Sequence, residues 1–211
     1  MNITFFFDPS CPYSWITSRW LLFISNERDI NTTWRPFSLA LKNNEVYLKS
    51  GENKNTFAHQ NSHRALRVML AANKQFDTPL IDLYSASGMI YHILGEPLDD
   101  NGLKLMLKNL NLPENLISAA DSDLFDKELK SYIDEATKIA GKDIGVPTII
   151  FNLADGSRHG YFGPVLNRLP DMDESLKIWD SLSTLATTPS FFELKRSRKS
   201  NMADVASTAR C

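Results

Sequence analysis

The sequence contains only two cysteines, Cys11 and Cys211, among its 211 residues. Two thiols are too few for a disulfide-stabilised scaffold or a cysteine-based zinc site, so structural roles for cysteine are excluded. The chain also lacks a Gly-x-Gly-x-x-Gly sequence and a Walker loop, and we therefore expect no tightly bound nucleotide. The role left for a cysteine in this chain is that of a single reactive thiol.

An excess of charge of one sign and long apolar runs are missing as well. The chain has 25 acidic and 23 basic residues, a formal net charge of -2, so we expect neither nucleic acid nor a membrane surface as its partner. No apolar run approaches the roughly 20 residues that cross a bilayer. Residues 1–7 show neither the basic stretch nor the cleavage site of a signal peptide, which predicts a cytoplasmic protein.

The four histidines do not form a metal-binding pattern. Only His59 and His63 have a spacing, four residues, that places two ligands on one helix face, and no third ligand accompanies them. We therefore expect no metal site and interpret this pair as part of a solvated helix face.

The first forty residues have the pattern of a β-α-β unit. Residues 3–7 form a continuous apolar run, which is typical of a strand buried on both faces. Proline is favoured at the first position of a helix, so Pro12 predicts a helix that starts there, and apolar residues then recur at helical spacing up to Ile24. Residues 31–38 are rich in residues that favour strands and predict the second strand.

From residue 51 to 141 the apolar period becomes helical, and one predicted stripe consists of Leu80, Leu83, Tyr84, Ser87, Tyr91 and Leu94. A β-branched run at 146–151, a turn at Asp155-Gly156 and a partner at 158–162 then predict a hairpin. The predicted organisation is a first domain part at 1–50, an inserted helical domain at 51–141, a second part at 142–199 and a flexible C-terminal tail at 200–211.

Cys11 is the candidate nucleophile because of its place at the start of the first helix. Unpaired backbone N–H groups and the helix dipole favour negative charge there. The same placement can lower the pKa of a cysteine from about 8.5 to between roughly 3.5 and 7.5. We therefore expect a thiolate at Cys11.

Pro147 stands at the head of the third predicted strand. A proline cannot donate a hydrogen bond to a neighbouring strand, so it belongs at the beginning of the strand or at a special turn. A cis Val146–Pro147 peptide bond lying against Cys11 would explain its position. Backbone groups of Val146 would then be available to pair with an extended peptide or a small thiol.

The order of strand, Cys-x-x-Ser helix, long helical insertion, Val-Pro-Thr strand and hairpin resembles a DsbA-type thioredoxin fold. The sequences at residues 7–9, 15–20, 161–166 and 191–196 further resemble the mycothiol-dependent nitroreductase family. The resemblance implies an α/β, thioredoxin-like fold with a helical domain inserted between the β-α-β unit and the cis-proline strand. It also implies a cytosolic homodimer that performs thiol-redox chemistry with mycothiol.

The resemblance assigns roles to individual residues and reveals one departure. Cys11 carries over as the nucleophile, Pro147 as the cis-proline and Asn43 as a contact for the small thiol. Ser14 stands where the family has a second cysteine, and Tyr13 where it has a tryptophan, so an intramolecular dithiol-disulfide cycle cannot run. The predicted catalytic residues are Cys11 and Ser14, and the predicted substrate- and thiol-binding residues are Pro12, Tyr13, Asn43, Val146 and Pro147.

The preferred function is a monothiol thiol-disulfide oxidoreductase or transferase in which Cys11 attacks a disulfide or an electrophile, with a small thiol such as mycothiol as co-substrate. The family resemblance further implies reduction of nitro or quinone-like compounds. The kappa-class glutathione transferases and 2-hydroxychromene-2-carboxylate isomerases offer a second interpretation, since they share the helical insertion and use a serine or a single thiol at the helix start. A redox-inactive binding module that keeps only the peptide-docking edge beside Pro147 is a third. Ser14 is either an ordinary helix residue or a hydrogen-bond donor to the Cys11 thiolate.

Overall fold

The computed structural model describes residues 1–46, 54–197 and 202–209, so Cys211 lies outside the described residues. No helix in these ranges is both long and apolar enough to span a membrane. The strands are β1 (Asn2–Phe7), β2 (Asn31–Pro36), β3 (Thr148–Asn152) and β4 (Arg158–Phe162). The α-helices are α1 (Pro12–Arg28), α2 (Leu39–Lys42), α3 (Lys54–Phe76), α4 (Leu80–Gly88), α5 (Asp100–Asn109), α6 (Asp126–Ala140) and α7 (Met172–Ala186).

The strands form a four-stranded sheet in the order β2-β1-β3-β4. Strand β1 pairs antiparallel with β3, from Asn2 opposite Asn152 to Phe6 opposite Thr148, and β3 forms an antiparallel hairpin with β4. The apolar run of β1 is buried throughout, as expected for a strand covered on both faces. The chain leaves this central strand at Asp8, three residues before Cys11.

The chain divides into two compact units. The first, here called the sheet unit, comprises Met1–Phe6, Pro12–Thr33 and Glu135–Cys211. The second, the helical unit, comprises Phe7–Cys11 and Trp34–Asp134. Cys11 and its neighbours on the amino-terminal side therefore belong to the helical unit.

Helix α1 forms the core of the sheet unit. It starts at Pro12, whose fixed φ suits the first helical position, and its apolar residues from Trp15 to Ile24 include several fully buried side chains. The ring of Trp20 packs against Trp179 of α7, with centroids 6.0 Å apart, and its indole N–H donates to the Ser175 carbonyl. These contacts fix the helix that follows Cys11.

In the helical unit, α4 ends in a π-turn at Met89–Ile93. A π-turn is wider than an α-helical turn, so the residues beyond it rotate away from the face that the α-helical period predicts. Leu94, predicted to lie on the apolar stripe, is accordingly 60% exposed, and the sequence-based interpretation is wrong at this residue.

The described part of the segment that we predict to be a flexible tail makes specific contacts within the sheet unit. Residues Val205–Thr208 form a 3₁₀ turn, and Thr208 is only 1% exposed. The hydroxyl of Thr208 accepts a hydrogen bond of 2.8 Å from the indole N–H of Trp15. The backbone N–H of Asp204 donates to the Asn167 carbonyl at 2.7 Å. Residues 202–209 are thus docked on the first turn of α1.

Candidate functional site

The Cys11 loop, residues 8–11, connects β1 to α1 and is organised by the side chain of Asp8. This carboxylate is fully buried. Its Oδ1 accepts hydrogen bonds from the backbone N–H and the hydroxyl of Ser10, at 2.8 and 2.6 Å, and from the hydroxyl of Ser62 on α3, at 2.5 Å. Its Oδ2 accepts from the backbone N–H of Leu39, the first residue of α2, at 2.8 Å. Asp8 therefore ties the loop to two helices.

Cys11 is the last residue of this loop. Its backbone N–H donates to the Asp8 carbonyl at 3.0 Å, and the residue is half-buried. The next residue, Pro12, begins the 17-residue helix α1, so Cys11 lies at the helix end where the backbone N–H groups lack intrahelical acceptors. This position favours a negatively charged sulfur.

The π-turn of the helical unit also contacts the Cys11 loop. The Nε2 of His92 lies 2.9 Å from the Pro9 carbonyl and donates to it. The ring of Tyr91 lies edge-on to that of His92, with centroids 5.0 Å apart. Burial raises the pKa of Tyr91, and the negative charge of Asp8 raises this pKa further, so the phenol stays protonated as a hydrogen-bond donor. Turns of this kind frequently occur at functional sites.

A buried histidine lies behind the same elements. The hydroxyl of Ser38 caps α2 by accepting from the Leu41 N–H at 3.1 Å and lies 3.0 Å from Nδ1 of His63. The Nε2 of His63 is 3.3 Å from Asp126 Oδ1 and, within the described residues, makes no hydrogen bond. Burial and then the Arg67 cation lower the pKa of His63, against the opposing effect of Asp126, and the resulting pKa is about 4. His63 is therefore neutral at pH 7.

This Ser38, His63 and Asp126 arrangement is not a hydrolase triad. The Ser38 side chain is completely buried and the His63 side chain is 2% exposed, so a substrate has no access to the hydroxyl. Arg67 instead binds Asp126 through two hydrogen bonds of 2.7 and 2.6 Å. The cluster joins α2, α3 and α6 and supports the elements that hold the Cys11 loop.

Asn43, the predicted small-thiol contact, is the exposed C-cap residue of α2. Its N–H donates to the Leu39 carbonyl at 2.9 Å. The following loop is fixed at Glu45, whose N–H donates to the Ala40 carbonyl at 2.7 Å and whose carboxylate is 2.5 Å from Nδ1 of His59. Cys11 and Asn43 thus both belong to the helical unit, and Asp8 connects the two segments that carry them.

The other predicted site residues lie in the sheet unit. Pro12 and Tyr13 are half-buried, and Ser14 is fully buried in the first turn of α1. Val146 and Pro147 are buried directly before β3, and the peptide bond between them is cis. The predicted approach of Pro147 to Cys11 stays a prediction.

The two histidines with metal-like spacing have separate partners, Glu45 for His59 and Ser38 for His63. Across residues 1–46, 54–197 and 202–209, no group of three or more His, Cys, Asp or Glu side chains could hold a metal ion.

Comparison with known proteins identifies the family. The family model described as Rv2466c-like, mycothiol-dependent nitroreductase Rv2466c, matches residues 10–196. The chain belongs to the Rv2466c-like family. The matched segment starts one residue before Cys11 and includes all the predicted site residues.

One curated relative and two solved structures are also similar to this chain. The uncharacterised protein Rv2286c of Mycobacterium tuberculosis is 29% identical over 199 residues, which cover 92% of this chain and 81% of the relative. The structure of the probable DsbA oxidoreductase SCO1869 from Streptomyces coelicolor aligns with a TM-score of 0.58, 14% identity and coverage of 94% of both chains. The structure of the cytosolic disulfide reductase DsbM from Pseudomonas aeruginosa aligns with a TM-score of 0.57 and 14% identity. The alignment covers 88% of this chain and all of the DsbM chain.

Membership in the Rv2466c-like family confirms the expected enzyme class, a thiol-dependent oxidoreductase. The structural likenesses confirm the expected fold, an α/β, thioredoxin-like, DsbA-like fold with a helical insertion. Within this family, the present chain has Ser14 three residues after Cys11, so a second thiol is absent from that position.

Sequence reasoning missed two residues that hold the Cys11 loop. Asp8 drew attention only as part of a family motif, although an acidic residue directly after a buried apolar strand signals a buried carboxylate that needs several donors. His92 was considered only as a metal ligand. Its partner, the Pro9 carbonyl, lies 83 residues earlier in the chain, and no local pattern indicates this contact.

Proposed function

We propose that this protein is a cytosolic monothiol oxidoreductase that uses Cys11 as its nucleophile and mycothiol as its co-substrate. The observation that carries the proposal is the position of Cys11, half-buried at the end of a fixed loop and directly before the first residue of α1. A helix N-terminus favours the thiolate, which is the nucleophilic form of cysteine.

The proposed reaction on a mixed disulfide has two steps. The Cys11 thiolate attacks the mycothiol sulfur, so a Cys11–mycothiol disulfide forms, the original S–S bond breaks and the substrate leaves as a thiolate that takes a proton from water. A second mycothiol thiolate then attacks the mycothiol sulfur bound to Cys11. This step releases oxidised mycothiol disulfide and regenerates the Cys11 thiolate.

Nitro and quinone compounds are further proposed substrates of the enzyme, and mycothiol again supplies the two electrons. Two mycothiols reduce a quinone to a hydroquinone, or a nitro group to a nitroso group and one water, and leave as one mycothiol disulfide. Tyr13 is proposed to flank the planar substrate, and Ser14 to donate a hydrogen bond to the Cys11 thiolate. Pro12 starts the helix. The proposed contacts of the small thiol are Asn43, Val146 and Pro147. These roles rest on the family assignment and on the residue types.

A homodimer is proposed from the same family resemblance. Sedimentation velocity tests it, because a species with the 23.9 kDa mass of one chain at micromolar concentration would contradict the dimer.

The pH dependence of Cys11 alkylation tests whether the thiol is activated. We expect a midpoint at least about one pH unit below 8.5, because the N–H groups at the start of α1 stabilise the thiolate more than the thiol. The measurement is the rate of iodoacetamide labelling between pH 4 and 10 in the Cys211→Ser variant, where Cys11 is the remaining thiol.

The matched control is Cys11→Ser, in which Cys211 is the remaining thiol. A Cys11 midpoint at or above that of Cys211 would reject the activated nucleophile and favour a redox-inactive binding module.

The turnover of a variant with a second cysteine at position 14 tests the monothiol mechanism. Ser14→Cys places a second thiol three residues after Cys11, in the first turn of α1, so an internal disulfide can compete with external mycothiol. We expect the slope of the steady-state rate against mycothiol concentration to fall about tenfold. Mass spectrometry of the oxidised variant should show a disulfide between Cys11 and the introduced thiol.

The companion variant Cys211→Ser should retain wild-type turnover, because an external thiol resolves the intermediate. Loss of its turnover with Cys11 still reactive would show that Cys211 acts as an internal resolving thiol, and the monothiol mechanism would be wrong.

A further inference from the structure

We propose that Asp8 is a positioning residue whose carboxylate couples α2 and the residues that follow it, 43–46, to the Cys11 loop. The inference rests on the proposed function for the role of Asn43 in thiol binding. The coupling itself rests on the hydrogen bonds of Asp8, all of which lie within the helical unit.

The two oxygens of the carboxylate serve different elements. Oδ1 holds the Cys11 loop itself, through the N–H and hydroxyl of Ser10, and joins it to α3 through Ser62. Oδ2 holds α2 through the N–H of Leu39. Because α2 has only four residues, a displacement of its first residue moves Asn43 at its end by a comparable amount.

Both carboxylate oxygens of Asp8 must act as hydrogen-bond acceptors. Two of the four donors are backbone N–H groups, of Ser10 and Leu39, which cannot turn into acceptors, whereas the two serine hydroxyls can. An ionised carboxylate satisfies all four donors, while an asparagine amide offers one acceptor oxygen and one NH₂ group. Asp8→Asn therefore leaves one backbone N–H facing another donor.

The geometry selects which N–H loses its acceptor. The amide oxygen keeps three hydrogen bonds if it takes the place of Oδ1 and one if it takes the place of Oδ2, so the NH₂ group faces Leu39. Helix α2 remains attached at a second point, because the hydroxyl of its N-cap residue Ser38 still lies 3.0 Å from Nδ1 of His63 on α3. Asp8→Asn thus loosens the start of α2 while it preserves the Cys11 loop.

Hydrogen exchange measured by mass spectrometry tests this coupling in the full-length protein. In Asp8→Asn, amides of residues 39–46 should exchange about tenfold faster than in wild type, as expected when one half-buried hydrogen bond is lost locally. Amides of residues 8–11 and the Cys11 alkylation rate should change less than about threefold. The apparent KM for mycothiol should rise about tenfold, with kcat within about threefold.

The matched control is Asp99→Asn, which changes the cap of α5 within the same unit. Asp99 accepts from the N–H groups of Asn101 and Gly102, and asparagine caps a helix as well as aspartate does. This variant should leave exchange at residues 39–46, alkylation and KM unchanged. A second variant, Ser62→Ala, removes one donor from Oδ1 and should speed exchange at residues 8–11 while residues 39–46 stay as in wild type.

The proposal is overturned if Asp8→Asn leaves exchange at residues 39–46 unchanged, or if it speeds exchange throughout the helical unit. If Asp8 had a purely structural role, Asp8→Asn would lower the Cys11 alkylation rate and kcat as well as the affinity for mycothiol. If Asp8→Asn does not fold, Ser62→Ala still tests the proposal. Equal increases in hydrogen exchange at residues 8–11 and 39–46 would contradict separate roles of the two carboxylate oxygens. Absence of mycothiol turnover in the wild type rejects the proposed function, whereas the exchange data still decide the role of Asp8.

Discussion

Cys11→Ser is expected to lower mycothiol-dependent turnover by at least about 10³-fold, the largest effect of a single substitution in this chain. A serine hydroxyl is scarcely ionised near neutral pH, and attack on a disulfide sulfur needs the thiolate. Serine matches cysteine in size and is favoured beside a helix start, so the fold should persist. Steady-state kinetics measure the loss, and an unchanged thermal unfolding temperature shows that it arises in the chemistry.

Cys211→Ser is the matched control, since it removes the other thiol of the chain. Cys11→Ser that keeps more than about one tenth of wild-type turnover would contradict nucleophilic catalysis by Cys11. It would instead favour a kappa-class-like transferase or isomerase, in which a hydroxyl at the helix start stabilises the thiolate of a bound small thiol.

The second large effect concerns acid stability and arises from His63. Burial holds the pKa of this histidine at about 4, below its ordinary value of 6.5. Between these pH values the unfolded chain binds a proton at His63 and the folded protein does not, so the free energy of unfolding falls as the pH falls. From pH 7 to pH 5 this contribution amounts to about 2 kcal/mol.

Urea unfolding of wild type and His63→Gln at pH 7 and pH 5 measures this contribution. The decrease in the free energy of unfolding over this interval should be about 2 kcal/mol smaller in His63→Gln, because glutamine does not titrate. His159→Gln, a substitution in the sheet unit, serves as the control and should retain the wild-type decrease. Equal decreases in wild type and His63→Gln would show that the folded protein already accommodates a protonated His63.

The sequence predicts those parts of the fold that depend on local patterns. The start of α1 follows from Pro12 and the apolar spacing after it, and the β3–β4 hairpin follows from a β-branched run and the Asp155-Gly156 turn. The position of Cys11 between a strand and a helix follows from the same patterns. Each of these signals lies within about ten residues of the feature that it predicts.

The supporting contacts of the site could not be predicted because their partners are distant in sequence. Asp8 binds Leu39 and Ser62, which follow it by 31 and 54 residues. His92 reaches back to Pro9, and it does so from a π-turn that departs from the α-helical period. Hydrophobic periodicity describes which face of a helix is buried, but it does not describe which polar groups meet across the core.

The pairing of β1 with β3 has a consequence for synthesis of the protein. Asn2 faces Asn152, so β1 must wait for a partner strand that the ribosome adds about 150 residues later. At 5–20 residues per second this delay is roughly 7–30 s. During that time one edge of the nascent β1, with its consecutive phenylalanines, has no β3 beside it. The unpaired edge of β1 can pair with strands of other chains during this time, and slow codons placed between the two strands would lengthen its exposure.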